Sequence, residues 1–581
     1  MPSKDSIAHQ VDELAENTSA YRLCHENTAH LVTDGAPIII FYAIERIRKA
    51  VVSTMGPNGK LAIIKDGTAI KTTKDGVTVA KSIRFNNEHM ELVARAMTEP
   101  AIKTDNECGD GTTTTIQLTA ELAKVLAKFP LFSQQKEIET AVKEVVEELT
   151  RMSIRIDVSD PRLKAMALTS SNQDDELTNT ILSIYQQTPE RFPEIELREY
   201  TQISDKIERI EGRPLKMRYS NPTFGRGQAG GDLELPEFRA VIIDDKLMRM
   251  TEHEVLNALR NVPFVTKTRN PNYYPDDFSP GPEFLPEVQL PPLLIIARSI
   301  EQDVLTSFIK MINKLDVKAI GEVPRIVALS TDEGGAIGTS AMQDLGVILN
   351  APVLSSFDGI EHVELKINRN RIKLGSSRSL LLEMDDETKA RITTQADELE
   401  QRISEYSLSD RYSLRARMDE KRLRSLRGDL VIVYVGGETN SEVKERVDRY
   451  EDVVKAIRSG LINGILPGCG SSLMWAWNMA QNNLSPIDPE IKAELKKVFS
   501  SIYRQLMTGM LKDNELEQDI TLGSPRVINL ATGQSGDEAG VYDTAYSTIT
   551  ALKGGFQTAK ILANTSSLIT GDKLFSVSSR A

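Results

Sequence analysis

The sequence predicts a multi-domain α+β protein, and three observations predict it. The chain has 581 residues, more than one hydrophobic core usually supports, so two to four domains are expected. The N-terminal part carries helical spacing, with Ile40, Ala43, Ile44, Ile47, Val51 and Val52 on one stripe and Ile116, Leu118, Leu122, Val125 and Leu126 on another. From about 210 to 429 prolines cluster, and strand-like runs such as Ala240-Val-Ile-Ile243 and Leu293-Leu-Ile-Ile-Ala297 alternate with helices, which marks a separate α/β domain.

Composition narrows the partners. An aromatic share of 5% and a formal net charge of −13 disfavour base stacking, phosphate backbones and anionic lipid, so neither nucleic acid nor membrane is expected as a partner. Proteins or a metal-bound nucleotide fit better. Cys24, Cys108 and Cys469 have neither metal-ligand spacing nor an even framework, which suits a reducing compartment. His253-Glu254 lacks the second histidine of a helical zinc site. No run of about 18 apolar residues occurs, and the N-terminus has neither a signal core nor a transit peptide. A cytoplasmic location is therefore expected.

Taken in order, residues 1 to about 30 form a polar, acidic arm without recognisable chemistry. A helix over Ile38–Met55 ends at the turn Gly56-Pro57-Asn58-Gly59, which is followed by Lys60 but lacks the spacing and hydroxyl of a Walker loop. Leu61-Ala-Ile-Ile64 is strand-like, Asp66-Gly67 signals a hairpin, and Thr73-Lys74-Asp75-Gly76 is an acidic glycine turn. The stretch Asp105-Asn-Glu-Cys-Gly-Asp-Gly-Thr-Thr-Thr-Thr115 is a second one. Gly109 and Gly111 permit positive φ and close approach of backbone N–H groups to an anion. Thr112, Thr113 and Thr114 then offer hydroxyls at the positive end of a helix dipole, and Asp110 could hold Mg²⁺. The same residues also read as an ordinary helix start after a tight turn. Further on, Ser170 and Ser171 precede a helix over Leu177–Tyr185, and Asn270–Pro292 is rich in proline and aromatics. A charged helical hairpin spans Leu399–Leu426 and a strand Leu430–Val435. Asp452, beside Arg449 and Lys455, reads locally as a solvated surface pair.

Three blocks in this order, Thr54-Met55-Gly56-Pro57, Lys74-Asp75-Gly76 and Gly109-Asp110-Gly111-Thr112-Thr113-Thr114, resemble the nucleotide site of the GroEL-type (group I) chaperonins. Leu168–Asp175 and Arg449–Asp452 resemble that family's two crossings of its intermediate domain, and Gly468, Asn529-Leu530-Ala531-Thr532 and Val541-Tyr542-Asp543 its nucleoside-contacting end. The resemblance implies a mostly helical equatorial ATPase domain (1–152 and 464–581), a small α/β intermediate domain (153–209 and 430–463) and an α/β apical domain (210–429). It implies an ATP-dependent folding machine, in which Asp110 ligates Mg²⁺, Thr112 to Thr114 and the Gly56-Pro57 backbone hold phosphates, Thr54, Met55, Lys74, Asp75 and Gly111 belong to the nucleotide site, and Gly468, Asn529, Ala531 and Asp543 meet the nucleoside. Asp75 and Asp452 would orient the attacking water, Asp452 being delivered by closure of its domain. An apolar groove for unfolded chains would be lined by Tyr219, Phe224, Val255, Leu256, Leu259, Leu305, Phe308 and Ile309. Self-association into a ring is expected; K⁺ and a co-chaperonin lid are allowed without being required.

The departures are Lys310, on a normally apolar helix, Cys469, inside the family's glycine run, the 270–292 insertion, and a shortened segment between Asn529 and Val541. They mark a divergent member, with a viral source as one reading. Two other readings stay open: a nucleotide-binding ring scaffold without hydrolysis, and a small-molecule kinase.

Overall fold

The structure is a computed structural model that describes residues 28–31, 35–56, 59–66, 69–171, 173–187, 193–210, 212–225, 231–266, 284, 288–315, 324–331, 335–376, 378–406, 413–428, 430–484, 487–523, 525–530, 532–535 and 540–571. It divides into two compact units, one built from both ends of the chain (Met1–Gln187 with Gly437–Ala581), the other from Thr188–Gly436. The division falls inside both segments expected to form an intermediate domain. The N-terminal arm, the hairpin tip at Gly67 and most of the 270–292 insertion lie outside the described residues.

The first unit is a helical bundle around Thr112–Lys128, whose stripe of Ile116, Leu118, Leu122 and Leu126 is fully buried. Ala545–Ala563 lies along it, and a Cβ at Gly555 would stand 3.2 Å from Thr119 Oγ1, so this glycine sets how closely the two helices pack. Ala36–Val52, Glu88–Cys108, Phe132–Met152 and Pro489–Met507 complete the layer, with Trp477 stacked on Phe499 at 5.2 Å. The expected hairpin is present: Ala62–Asp66 pairs antiparallel with Ala69–Thr73. Thr28–Leu31 pairs with Leu568–Gly571, joining the two ends of the described chain.

Among the described residues the second unit holds four sheets. The largest has the order Val353–Leu354, Arg239–Leu247, Leu293–Ile300, Ile326–Ser330, Arg218–Tyr219; all its pairs are parallel except the last. Leu293–Ala297 and Ala240–Ile243 are buried on both faces, as the unbroken apolar runs required. Leu430–Val435 runs parallel to Glu194–Glu199 and antiparallel to Lys206–Ile210. Val265–Thr266 pairs antiparallel with Val288–Gln289, so the two sides of the intervening segment form one stem. Arg239, buried at the head of its strand, donates to the carbonyls of Pro263 (2.7 Å) and Pro291 (3.1 Å) and lies over the Phe264 ring. One guanidinium thus ties both sides of that stem.

Candidate nucleotide site

The helix Thr112–Lys128 begins without a side-chain cap, because Gly111, at φ +99°, occupies the capping position. Its first N–H groups are free of the usual serine or aspartate partner and so are available to an anion. Thr112 is 5% exposed and its hydroxyl has no hydrogen-bond partner. A buried hydroxyl left this way is costly unless a ligand completes it. Asp110, between Gly109 (φ +69°) and Gly111, accepts the Gly111 N–H at 2.6 Å. It is reachable by solvent yet ringed by protein, as at the floor of a cleft.

The second acidic turn closes on the first. Asp75 accepts from the N–H groups of Val77 (3.0 Å) and Thr78 (2.8 Å), so its carboxylate is fixed as the cap of Gly76–Ser82. A Cβ at Gly76 would stand 2.4 Å from Thr113 Oγ1, so only glycine lets this turn meet the threonine run. The long helix Asn440–Asn463 presses on the other side: a Cβ at Gly109 would fall 2.7 Å from the Asp452 carbonyl oxygen and 2.8 Å from Lys455 Cβ.

Asp452 is not the surface ion pair its neighbours suggest. Arg449 pairs with Glu445 and Asp174, Lys455 with Glu451, while Asp452 sits half-buried at the cleft. Asp452 lies in the first unit, already over the Gly109 turn. Its delivery by domain closure is therefore not needed in this conformation.

The electrostatics follow from crowding. Burial pushes Asp452 up to about 9, and the charges of Asp105, Asp75 and Asp110 add to this against Lys455. Burial lifts Asp105 to about 6, with Asp75 and Asp110 adding to it and Lys455 and Lys81 opposing. Asp543 rises to about 7 through burial and then Asp110, and burial also raises Asp110 itself. Five carboxylates share one cleft with too few cations. Among the described residues no three His, Cys, Asp or Glu side chains stand close enough to hold a metal alone. This suits Mg²⁺, which is typically held by one or two carboxylates with phosphate oxygens and water completing the shell.

Asp543 joins this acidic floor to the other expected contacts. It pairs with Leu466 between the strands Ile465–Pro467 and Tyr542–Thr544, and a Cβ at Gly468 would lie 3.3 Å from its Oδ1. Gly56, at φ +72°, rests on Leu506 and Leu530 next to Asn529. Thr54 is buried with its hydroxyl on the Val51 carbonyl, Met55 is half-buried, and Lys74 is half-buried beside Asp75. Pro57 and Ala531 lie outside the described residues.

Residues 47–218 match the model of the TCP-1/cpn60 chaperonin family. The chaperonin gp146 from the bacteriophage EL 2 (Pseudomonas aeruginosa), solved in presence of ATP-BeFx, is 40% identical over 94% of this chain and 99% of its own, with a TM-score of 0.81 in crystal form I. The chain belongs to the TCP-1/cpn60 chaperonin family. In crystal form II the same relative gives a TM-score of 0.73 at 41% identity, with equal coverage of 94% and 99%. The protein is thus an ATP-dependent chaperonin, a divergent member of the family that is similar to a phage-encoded one.

The chaperonin corrects one expectation about its client-facing surface. Tyr219, Phe224, Val255, Leu259, Leu305 and Phe308 belong to the core of the second unit, Phe308 at 0% exposure with its ring edge-on to Phe357 at 5.7 Å. The periodicity that suggested a groove is the inward stripe of Glu252–Leu259 and Gln302–Leu315. Of the eight expected residues only Leu256 and Ile309 remain half-exposed, packed on the core's edge. Lys310 reaches across to Glu252 at 3.3 Å, tying the two helices at their surface.

Sequence reasoning missed Asp105 and Lys455. Asp105 stands five residues before Asp110, on the last turn of Glu88–Cys108, and Lys455 one helical turn after Asp452. The only signal was a third acidic residue leading into the glycine turn.

Proposed function

We propose that the chaperonin hydrolyses ATP in this cleft and uses the cycle to time capture and release of unfolded chains by its second unit. What carries the reading is the buried, unpartnered Thr112 hydroxyl at an uncapped helix start facing a crowd of carboxylates, an arrangement that fits a metal-bound polyphosphate. The family's ring assembly and binding of unfolded proteins support the second half.

Thr112, Thr113, Thr114 and the Gly111 turn would bind phosphates, and Asp110 would hold Mg²⁺. When bound, Mg²⁺ supplies charge neutralisation on the transferring phosphoryl group. By family resemblance K⁺ would be a second cation among these carboxylates. Asp75, locked by its two backbone N–H groups, offers its remaining lone pairs in a fixed direction and is suited to orient a water. Asp452 would accept that water's proton. In the cation-free cleft burial and its neighbours hold it protonated near neutral pH, so it becomes a base only when positive charge enters beside it.

The test is equilibrium Mg·ATP binding and single-turnover hydrolysis for Asp452→Ala beside the parent. Hydrolysis should fall by about 10²-fold or more with affinity nearly unchanged. Unchanged hydrolysis would remove Asp452 from the reaction, and a parallel loss of binding would make it a ligand instead.

A further inference from the structure

The nucleoside end of the cleft rests on a small core of its own. Cys469, Met474, Tyr503, Met507, Leu516 and Ile520 form it, with Leu506, Ile528, Leu530 and Val541 packed against them. Two cleft glycines sit directly on this cluster: a Cβ at 56 would meet Leu506 at 2.7 Å, and one at 468 would meet Val541 at 2.8 Å. Any shift in the small core is therefore passed to the cleft wall.

Cys469 occupies the left-handed region at φ +59°, a strained conformation for a residue with a side chain. What the side chain does there is specific. Its thiol donates to the Ile528 carbonyl at 3.3 Å. Burial, and then the charge of Asp543, push that thiol up to about 12, so it remains a donor throughout the physiological range. Two residues earlier the same segment is gripped again: Tyr503 Oη accepts the Arg526 backbone N–H at 3.1 Å and donates to Asp519 Oδ2 at 2.8 Å, and Arg526 Nε donates to the same oxygen at 2.9 Å. Beyond these two grips the chain turns at once, with Asn529 N–H donating to the Gln534 carbonyl at 2.8 Å and Gly533 N–H to the Asn529 carbonyl at 2.7 Å. Segment 526–528 is thus anchored at both ends, and Asn529 follows directly on it.

We propose that Cys469 is a positioning residue for the nucleoside, acting through the Ile528 carbonyl to hold the adjoining Asn529 against the base and ribose without touching the phosphates. This rests on the ATP reading above. The thiol packs within the small core while the adjacent Gly468 lies against Asp543, so one short segment serves both wall and anchor. Glycine at 469 would relieve the backbone and leave the Ile528 carbonyl without its donor; serine would keep a donor in the same place.

The experiment compares calorimetric affinities of the assembled protein for Mg·ATP and for Mg·tripolyphosphate, which can fill only the phosphate half of the cleft. Cys469→Ala and Cys469→Gly should weaken ATP about fivefold, the effect of one lost hydrogen bond, with tripolyphosphate unchanged and kcat at saturating ATP retained; Cys469→Ser should restore the ATP affinity. Tyr503→Phe, which leaves Cys469 in place, gives an independent reading and should show the same selective loss if a cysteine variant fails to fold. Equal weakening of both ligands, or of neither, would overturn the proposal. A parent protein that binds tripolyphosphate but not ATP would instead overturn the ATP reading, and this shows before any substitution is made.

Discussion

No side chain fits between Gly109 and Asp452: a Cβ at 109 would lie 2.7 Å from the Asp452 carbonyl oxygen and 3.0 Å from its Cα. The turn that carries Asp110 and the helix that carries Asp452 are thus set at their distance by an absent atom. Gly109→Ala must push the helix away and also strain a backbone at φ +69°. Hydrolysis should fall at least tenfold while Mg·ATP affinity falls much less, since Asp110 and the threonines stay on their own element. Stopped-flow single-turnover kinetics would show it; a parent-like rate would mean that the helix's seat on the turn is unimportant to the reaction.

Removing the metal site should act on a different step. Asp110→Ala takes the central carboxylate from the cleft floor and should weaken Mg·ATP binding by about tenfold or more, the scale of one charge-assisted contact. Metal-free nucleotide binding should be little changed or improved. Titration with and without Mg²⁺ separates these effects, and an equal loss in both would make Asp110 a structural residue.

Charge crowding predicts a pH dependence with a definite sign. Asp105, Asp543 and Asp452 are raised in the folded protein to about 6, 7 and 9, above the ordinary carboxyl near 4. The unfolded chain therefore ionises first. The stability these groups allow is full below about pH 4 and is lost progressively as pH rises through the folded values. Melting temperature without ligand should fall between pH 5 and pH 9 from this source, and Mg·ATP should raise it more at pH 8.5 than at pH 5.5. Binding near pH 7.5 should also release protons, as seen by calorimetry in two buffers of different ionisation enthalpy. Absence of proton release would show that the carboxylates do not answer to the cation.

Asp105 can be separated from its neighbours by Asp105→Asn. Loss of that negative charge should ease ionisation of Asp452 and move the acidic limb of the kcat/KM profile to lower pH. A merely structural Asp105 would change the profile's height and leave its position alone.

The two helices of the second unit carry a prediction about clients. Leu256→Ser with Ile309→Ser should reduce suppression of client aggregation while ATP turnover persists, because these half-exposed residues lie outside the core. Phe308→Ala should instead destabilise the unit by about 3–5 kcal/mol, as expected for a buried aromatic. If the double variant captures clients normally, the surface of these helices is not where chains bind.

How much of this was legible beforehand depended on range. Turn chemistry is local, so Gly56, Gly109, Gly111, Asp75 and the threonine run could be read directly, because a left-handed φ or an uncapped helix start is written in adjacent residues. The interior strands of the large sheet were equally plain as unbroken apolar runs. Asp105 was not legible, since its significance is the field of Asp75, Asp110 and Asp452, which converge only in three dimensions. The face of Leu305 and Phe308 was misread for a related reason: amphipathic spacing reports that a stripe is covered, and cannot say whether a client or the domain's own Phe357 covers it. The strain at Cys469 needed the backbone itself.

Arg239 has a consequence for how this protein can change over time. By holding Pro263 and Pro291 from within the sheet it fixes where the excursion between Thr266 and Val288 departs and rejoins, so closing the ends together is already achieved whatever lies between them. Once the ends are held, lengthening the chain between them costs little beyond the closure. The position is therefore a socket, where sequence can be gained, traded or trimmed at small cost to the unit, and an engineer wishing to display a foreign peptide on this chaperonin would choose the same place.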